Sequence, residues 1–217
     1  MHPTPMRDAL GGPDGALTNL AKHDADIARA MDRFGLPPDR SSPGGFETLA
    51  RIIIGQQISR SAATSIWNRM QQNNLATSRS IATTGLQALR KAGLSGRKAE
   101  YIHGLACGVE DGSIALDELA RLPAEEISNR LTSIRGIGSW TADNYRLFVL
   151  LDMDAWPYND LALQEGMRIL KNLEQRPDGR KMANMGEKWR PWRGAGALML
   201  WHVYARVVRD GSPMDAS

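Results

Sequence analysis

The segment Leu131-Thr132-Ser133-Ile134-Arg135-Gly136-Ile137-Gly138-Ser139-Trp140-Thr141-Ala142 carries more architectural information than any other in the chain. A helix running to about Ser133 meets two glycines that flank one aliphatic residue. A second helix begins at Ser139, a natural N-cap. Gly136 and Gly138 permit positive φ and let another backbone come close. Ile137 between them can plug into the core and anchor the tip. The amides opening the second helix, at the positive end of its dipole, make a phosphate site that needs no side chain. Arg135 adds charge, and Arg130 to Arg146 holds three arginines against one aspartate. The alternative is a tight helix–helix turn whose glycines serve only sterics.

Outward from this hairpin, apolar spacing is helical throughout. Leu17, Leu20, Ala21, Ile27 and Met31 outline a helix stopped by Gly35-Leu36-Pro37-Pro38. After the connector Ser41-Ser42-Pro43-Gly44-Gly45, Phe46, Leu49, Ile52 and Ile53 begin another, which meets Gly55-Gln56-Gln57-Ile58. Ser59 can N-cap the helix carrying Ala62, Ala63, Ile66 and Met70. Short helices follow at about 85–92, 96–111, 116–120 and 123–133. Phe148 to Leu151 is apolar but continues a helical pattern from Ala142. No segment alternates with period two, so the expectation is all-α. The first 15 residues hold three prolines and three glycines and read as a flexible arm. The expected hairpin lobe is about 46–147, and the second lobe joins 16–45 to 148–217.

In 217 residues, 42% apolar and 24% charged, a folded core is expected rather than wholesale disorder. No apolar run reaches the roughly 18 residues of a membrane span. The start has no basic region leading into an apolar one, so no secretory signal is read. One cysteine, Cys107, excludes an internal disulfide, a four-cysteine zinc site and a protein-ligated iron–sulfur cluster, and favours a reducing cytosol. Lys and Arg exceed Asp and Glu by 27 to 24, a balance compatible with an anionic partner and weak evidence alone.

Eighteen residues after Ala142, Trp156-Pro157-Tyr158-Asn159-Asp160 leads into a helix. Asp160 or Asn159 could merely cap it. Hairpin and Pro-x-x-Asp together resemble the helix–hairpin–helix DNA glycosylase superfamily, and most closely its 3-methyladenine DNA glycosylase II branch. Ile54-Gly55-Gln56-Gln57-Ile58-Ser59, Gly93-Leu94-Ser95-Gly96-Arg97-Lys98-Ala99 and Trp189-Arg190-Pro191-Trp192-Arg193 are similar to further family segments. The resemblance covers roughly residues 40 to 205 and suggests a compact version without the extra N-terminal β-domain of some members.

The resemblance implies a two-lobed helical fold with the active site in a cleft between lobes, acting as a monomer on double-stranded DNA with damaged bases, without membrane. Asp160 would be the catalytic carboxylate that stabilises the oxocarbenium-like sugar and positions water. Lyase members place a nucleophilic lysine two residues after the second glycine; here that residue is Trp140, which implies hydrolysis without a Schiff base. Trp140 and Trp201 match aromatic pocket positions, the alternative for each being a core tryptophan. Asn144 stands where the family often has an aromatic and could read a base edge. Tyr158, with Trp156, could line the same cleft. Gln57 would wedge the opened duplex, or its amide could cap backbone groups. Arg135, Gly136, Ile137, Gly138, Ser139 and Thr141 would form the phosphate contact. Arg190 and Arg193 lie in a run with six basic residues against two acids, either a phosphate contact or a solvated face. No cofactor is required by this reading, and the hairpin carbonyls of Thr132, Ile134 and Gly136 admit a structural sodium or potassium ion. The implied reaction is excision of alkylated purines in base excision repair. Alternatives are a monofunctional enzyme for neutral lesions such as hypoxanthine or ethenoadenine, a non-catalytic DNA-binding module, and an all-α protein-interaction domain.

Overall fold

The computed structural model describes residues 6–214. In chain order the helices are α1 (Met6–Gly11), α2 (Ala16–His23), α3 (Ala25–Phe34), α4 (Phe46–Gly55), α5 (Arg60–Gln72), α6 (Ser78–Ala82) and α7 (Leu86–Lys91). They continue as α8 (Gly96–Glu110), α9 (Ala124–Ser133), α10 (Ser139–Phe148), α11 (Leu161–Leu170), α12 (Gly179–Glu187) and α13 (Arg193–Tyr204). A 3₁₀ turn spans Leu116–Arg121, a π turn spans Ala205–Arg209, and no strand occurs among the described residues. The chain forms two units, one from Ser42 to Leu150 and one joining the segment up to Ser41 with that from Leu151 onward.

In the first of these units α4 is the buried spine. Leu49, Ile53 and Ile54 are fully buried and pack with Ile102 and Leu105 of α8 and Ala142 and Tyr145 of α10. Ser59 caps α5 through its hydroxyl, which accepts from Ala62 N–H at 3.2 Å. Thr77 and Ser80 close a capping box on α6, and Ser95 caps α8. α10 stops at Phe148 instead of running on through Leu151, where φ is +53. The apolar run there gave a false helical extension.

In the other unit α13 is the spine. It is buried on nearly every side from Gly194 to Val203, as an all-apolar helix must be. Gly166 of α11 lies directly against the Leu200 backbone, leaving no room for a Cβ. The helix expected across 17–31 is two, broken at Asp24, whose carboxylate caps α3 by accepting from Asp26 and Ile27 N–H at 3.1 and 3.2 Å. The flexible arm needs correction as well. From Met6 to Gly11 the chain is helical, with Met6 and Leu10 fully buried one turn apart. Two large apolar side chains on one face outweigh the neighbouring Gly and Pro; residues 1–5 lie outside the described part.

Asp24 also receives Lys171 Nζ at 2.6 Å and Trp189 Nε1 at 2.7 Å, while Lys171 reaches Asp26 at 2.8 Å. Burial alone would raise the Asp24 carboxyl; the Lys171 and Trp189 hydrogen bonds and the Lys171 charge outweigh it and hold it below its usual range. A depressed carboxylate stabilises the fold above its unfolded value of about 3.9, and that stability fades as pH falls through the folded value. Lys171→Met is therefore expected to cost about 2–3 kcal/mol at neutral pH, by leaving a half-desolvated charge. Urea melts should show the difference from wild type shrinking as Asp24 protonates below about pH 4. A pH-independent loss would mean that Lys171 acts through packing alone.

Candidate active site and nucleic-acid interface

Asp160 ends the loop opened by Pro157 and is the N-cap of α11. Its Oδ1 accepts from Leu163 N–H at 2.9 Å and from Trp201 Nε1–H at 3.0 Å. Both donors come from elements buried in the same unit, so the carboxylate is fixed in direction while remaining partly exposed. Asp160 is thus a cap and more than a cap, since an indole from α13 is also aimed at it. Trp201 is 8% exposed, and the sequence pairing of the two as carboxylate and pocket wall missed this direct bond. Tyr158 is half-buried, with its carbonyl accepting from Gln164 Nε2 at 3.2 Å. Trp156 is a core residue instead of a cleft residue: it is 5% exposed, stacked edge-on against Trp189 and bonded to Met182 O at 3.1 Å.

The hairpin lies in the other unit. Ile137 is 5% exposed and packs into the core, anchoring the tip. Its N–H donates to Ile134 O at 3.0 Å, closing the turn. Gly136 has φ +91 and lies against the Tyr101 ring, so glycine is required there twice over. Gly138 differs from expectation. Its φ is −96, which any residue adopts, and a Cβ would meet nothing within 4 Å. It is also the N-cap of α10, and Ser139, expected in that role, is the first helical residue. Gly138 and Ser139 are exposed, beside first-turn amides that have no acceptor within the helix.

Two expected phosphate contacts are corrected. Thr141 is 2% exposed, and its hydroxyl accepts from Gln56 Nε2 at 3.0 Å inside the fold. Arg193 grips Asp154 with two bonds of 2.9 and 2.7 Å and reaches Glu187 at 3.1 Å, with Arg190 in the same network. Its guanidinium fastens the Asp152–Asp154 loop to the start of α13, a use that its planar donor fork suits well. Arg135 remains exposed, over Tyr101 at 5.7 Å and 3.4 Å from Glu100.

Trp140 and Asn144, one turn apart on α10, line a cavity of about 530 Å³ with Thr48, Arg51, Trp67 and Phe148. Asn144 is 5% exposed, and its Nδ2 donates to Trp140 O at 2.6 Å. The loop amide that caps backbone is Gln56, donating to Gly136 O at 3.1 Å, whereas its neighbour Gln57 is exposed at φ +59. Two like residues side by side could not be told apart by sequence; the backbone turn between them decides.

The carbonyls of Thr132, Ile134 and Gly136 suit a hard monovalent cation in chemistry. Ile134 O accepts from Ile137 N–H at 3.0 Å and Gly136 O from Gln56 Nε2 at 3.1 Å. Among the described residues no group of His, Cys, Asp or Glu side chains is placed to hold a metal, and no helix is long and apolar enough to cross a membrane.

Comparison with known proteins places the chain in a family. The chain is 34% identical over 174 residues, 76% of each chain, to DNA-3-methyladenine glycosylase 1 of Schizosaccharomyces pombe. The solved 3-methyladenine DNA glycosylase of that yeast, in complex with abasic DNA, superposes with TM-score 0.79 at 30% identity, over 89% of this chain and 96% of that one. A DNA-3-methyladenine glycosidase structure from Bacillus halodurans gives 0.76 at 29% identity, over 92% and 93% of the two chains. The family model described as HhH-GPD superfamily base excision DNA repair protein matches residues 50–191. With its glycine hairpin, its capped Asp160 and this match, the chain belongs to the HhH-GPD superfamily.

Proposed function

We propose that this protein is a monofunctional DNA glycosylase that hydrolyses the N-glycosidic bond of alkylated purines, of the 3-methyladenine and 7-methylguanine type, in damaged duplex DNA. The observation that carries the reading is Asp160, a partly exposed carboxylate aimed by Leu163 N–H and Trp201 Nε1–H. As the base departs with the bond's electron pair, the sugar gains oxocarbenium character. The Asp160 charge stabilises it and takes a proton from the water that adds to the anomeric carbon. A cationic alkylated purine leaves as a neutral base, so no acid is needed for the leaving group.

The target must leave the stack. Gln57 is the wedge that fills the gap, and the exposed tip at Gly138 and Ser139, with Arg135, receives phosphate. An indole offers a π-face to an electron-poor base, the role this reading gives to Trp140, with Asn144 one turn along α10, and to Trp201, bonded to Asp160. The reading requires no cofactor and a single copy of the chain. The Thr132, Ile134 and Gly136 carbonyls would hold a sodium or potassium ion, which would supply positive charge at the hairpin.

Chromatography of bases released from methylated DNA, and in parallel from DNA carrying hypoxanthine or ethenoadenine, tests the assignment directly. The expected products are 3-methyladenine and 7-methylguanine; release of hypoxanthine or ethenoadenine alone would assign the neutral-lesion reading, for which Asn144 is the supporting residue. Because indole cannot form an imine where the lyase branch has lysine, borohydride should trap no protein–DNA adduct. A stable trapped adduct would overturn the hydrolytic mechanism.

A further inference from the structure

The last turn of α4 leaves carbonyls without helical donors. Lys98, from the first turn of α8, supplies them: its Nζ donates to Ile54 O at 2.7 Å and Gln56 O at 2.6 Å. A cation is well placed there, at the negative end of the helix dipole. Gln56 is therefore gripped at its backbone. It is gripped again at its side chain, which spans 80 residues of sequence to Gly136 O and Thr141 Oγ1. Both acceptors belong to the hairpin, and neither can drift. Gly136 is wedged against Tyr101, and Thr141 is 2% exposed. The next residue, Gln57, stands exposed at φ +59. A residue with a Cβ keeps such a conformation only when its surroundings impose it. The contacts that flank it here are those on the Gln56 backbone and side chain.

We propose that Lys98 and Gln56 are positioning residues that tie the exposed Gln57 to the hairpin, so that phosphate engagement and base opening proceed as one event. The proposal rests on the reading of Gln57 as the wedge. Neither residue touches the reacting atoms. Their effect lies in delivering Gln57 at a fixed angle and position as the duplex docks on the hairpin. Without the brace, the hairpin would still bind phosphate, but Gln57 would lose its direction and the opened state its stabilisation.

The test uses Gln56→Leu, Gln57→Ala and their double variant on duplexes carrying 2-aminopurine beside the lesion. Undamaged-duplex affinity is measured for all three, and the opening and excision losses should exceed any loss of docking, because phosphate contacts position the duplex without opening it. Gln56→Leu should reduce both the fluorescence rise of opening and the single-turnover rate by about tenfold or more, because misplacement of one group is costly. The double variant should be no worse than Gln57→Ala, and the loss should largely vanish when the lesion sits in a bulge that needs no wedge. Lys98→Met should reproduce the defect, and Lys98→Arg should restore part of it. If Gln57→Ala impairs opening while Gln56→Leu matches wild type, the brace is wrong and the wedge stands. If Gln57→Ala changes nothing, the wedge fails and the coupling with it. Additive losses, or equal losses on paired and bulged lesions, would mark Gln56 as a fold residue only and overturn the proposal.

Discussion

Replacing Asp160 by Asn is expected to lower single-turnover excision by about 10²- to 10³-fold or more, the scale seen when a preorganised electrostatic group is removed from a reacting centre. Duplex affinity should be nearly unchanged, because the amide retains an oxygen to accept from Leu163 N–H and Trp201 Nε1–H. The substitution thus preserves the cap on α11 and the bond to α13 while deleting the charge proposed to stabilise the sugar. Thermal melting checks the first point and rapid-quench kinetics the second. A variant that melts like wild type and still excises at a near-normal rate would remove Asp160 from the chemistry.

The two hairpin glycines should fail in opposite ways. Gly136→Val places a β-branched residue at φ +91 and drives it into the Tyr101 ring. The left-handed backbone costs about 1–2 kcal/mol. Overpacking adds about 1–3 kcal/mol, so the fold itself should weaken by several kcal/mol. Gly138→Val meets neither obstacle, since its backbone is extended and its surroundings are open. It should fold normally yet bind normal and damaged duplex alike about tenfold or more weakly, as expected for losing a charge-assisted contact of about 1.5–3 kcal/mol. The extended backbone at Gly138 leaves no φ strain for valine to meet, so any stability loss is confined to a poorer N-cap, about 1 kcal/mol, and does not obscure a binding loss. Denaturant melts and fluorescence anisotropy separate the two variants; unchanged affinity in folded Gly138→Val would dismiss the phosphate contact.

The helical class and the two hairpin helices were legible in the sequence because apolar spacing and glycine placement are local signals. Ile137 as an anchor and Asp160 as a helix cap were legible for the same reason. What sequence periodicity could not show was set by contacts distant in the chain. Met6 and Leu10 lie in a Gly- and Pro-rich stretch, and only their burial reveals α1. Arg193 reads as part of a basic run, but Asp154 and Glu187 consume its charge. Thr141 belongs to the motif without facing outward, because Gln56 claims its hydroxyl. Lys98 was visible as part of a family segment, but nothing local indicates that its ammonium closes α4. The Trp201 bond to Asp160 joins residues 41 apart through the packing of α13 on α11, which no local pattern encodes.

Selectivity between a cationic and a neutral lesion bears most directly on the alkylated-purine assignment. A cationic base is the better leaving group, and its stacking on indole adds about 0.5–2 kcal/mol. At about 1.4 kcal/mol per factor of ten, stacking alone supplies a two- to thirty-fold preference. Arg51 lines the cavity beside Trp140 and would oppose a cation there, but Glu47, paired with it at 3.4 Å, offsets that charge. The decisive measurement is the single-turnover rate on matched duplexes carrying 7-methylguanine or hypoxanthine at one position. Faster release of 7-methylguanine, with Trp140→Ala slowing it more than hypoxanthine, is the predicted result. Equal rates, or faster release of hypoxanthine, would contradict it.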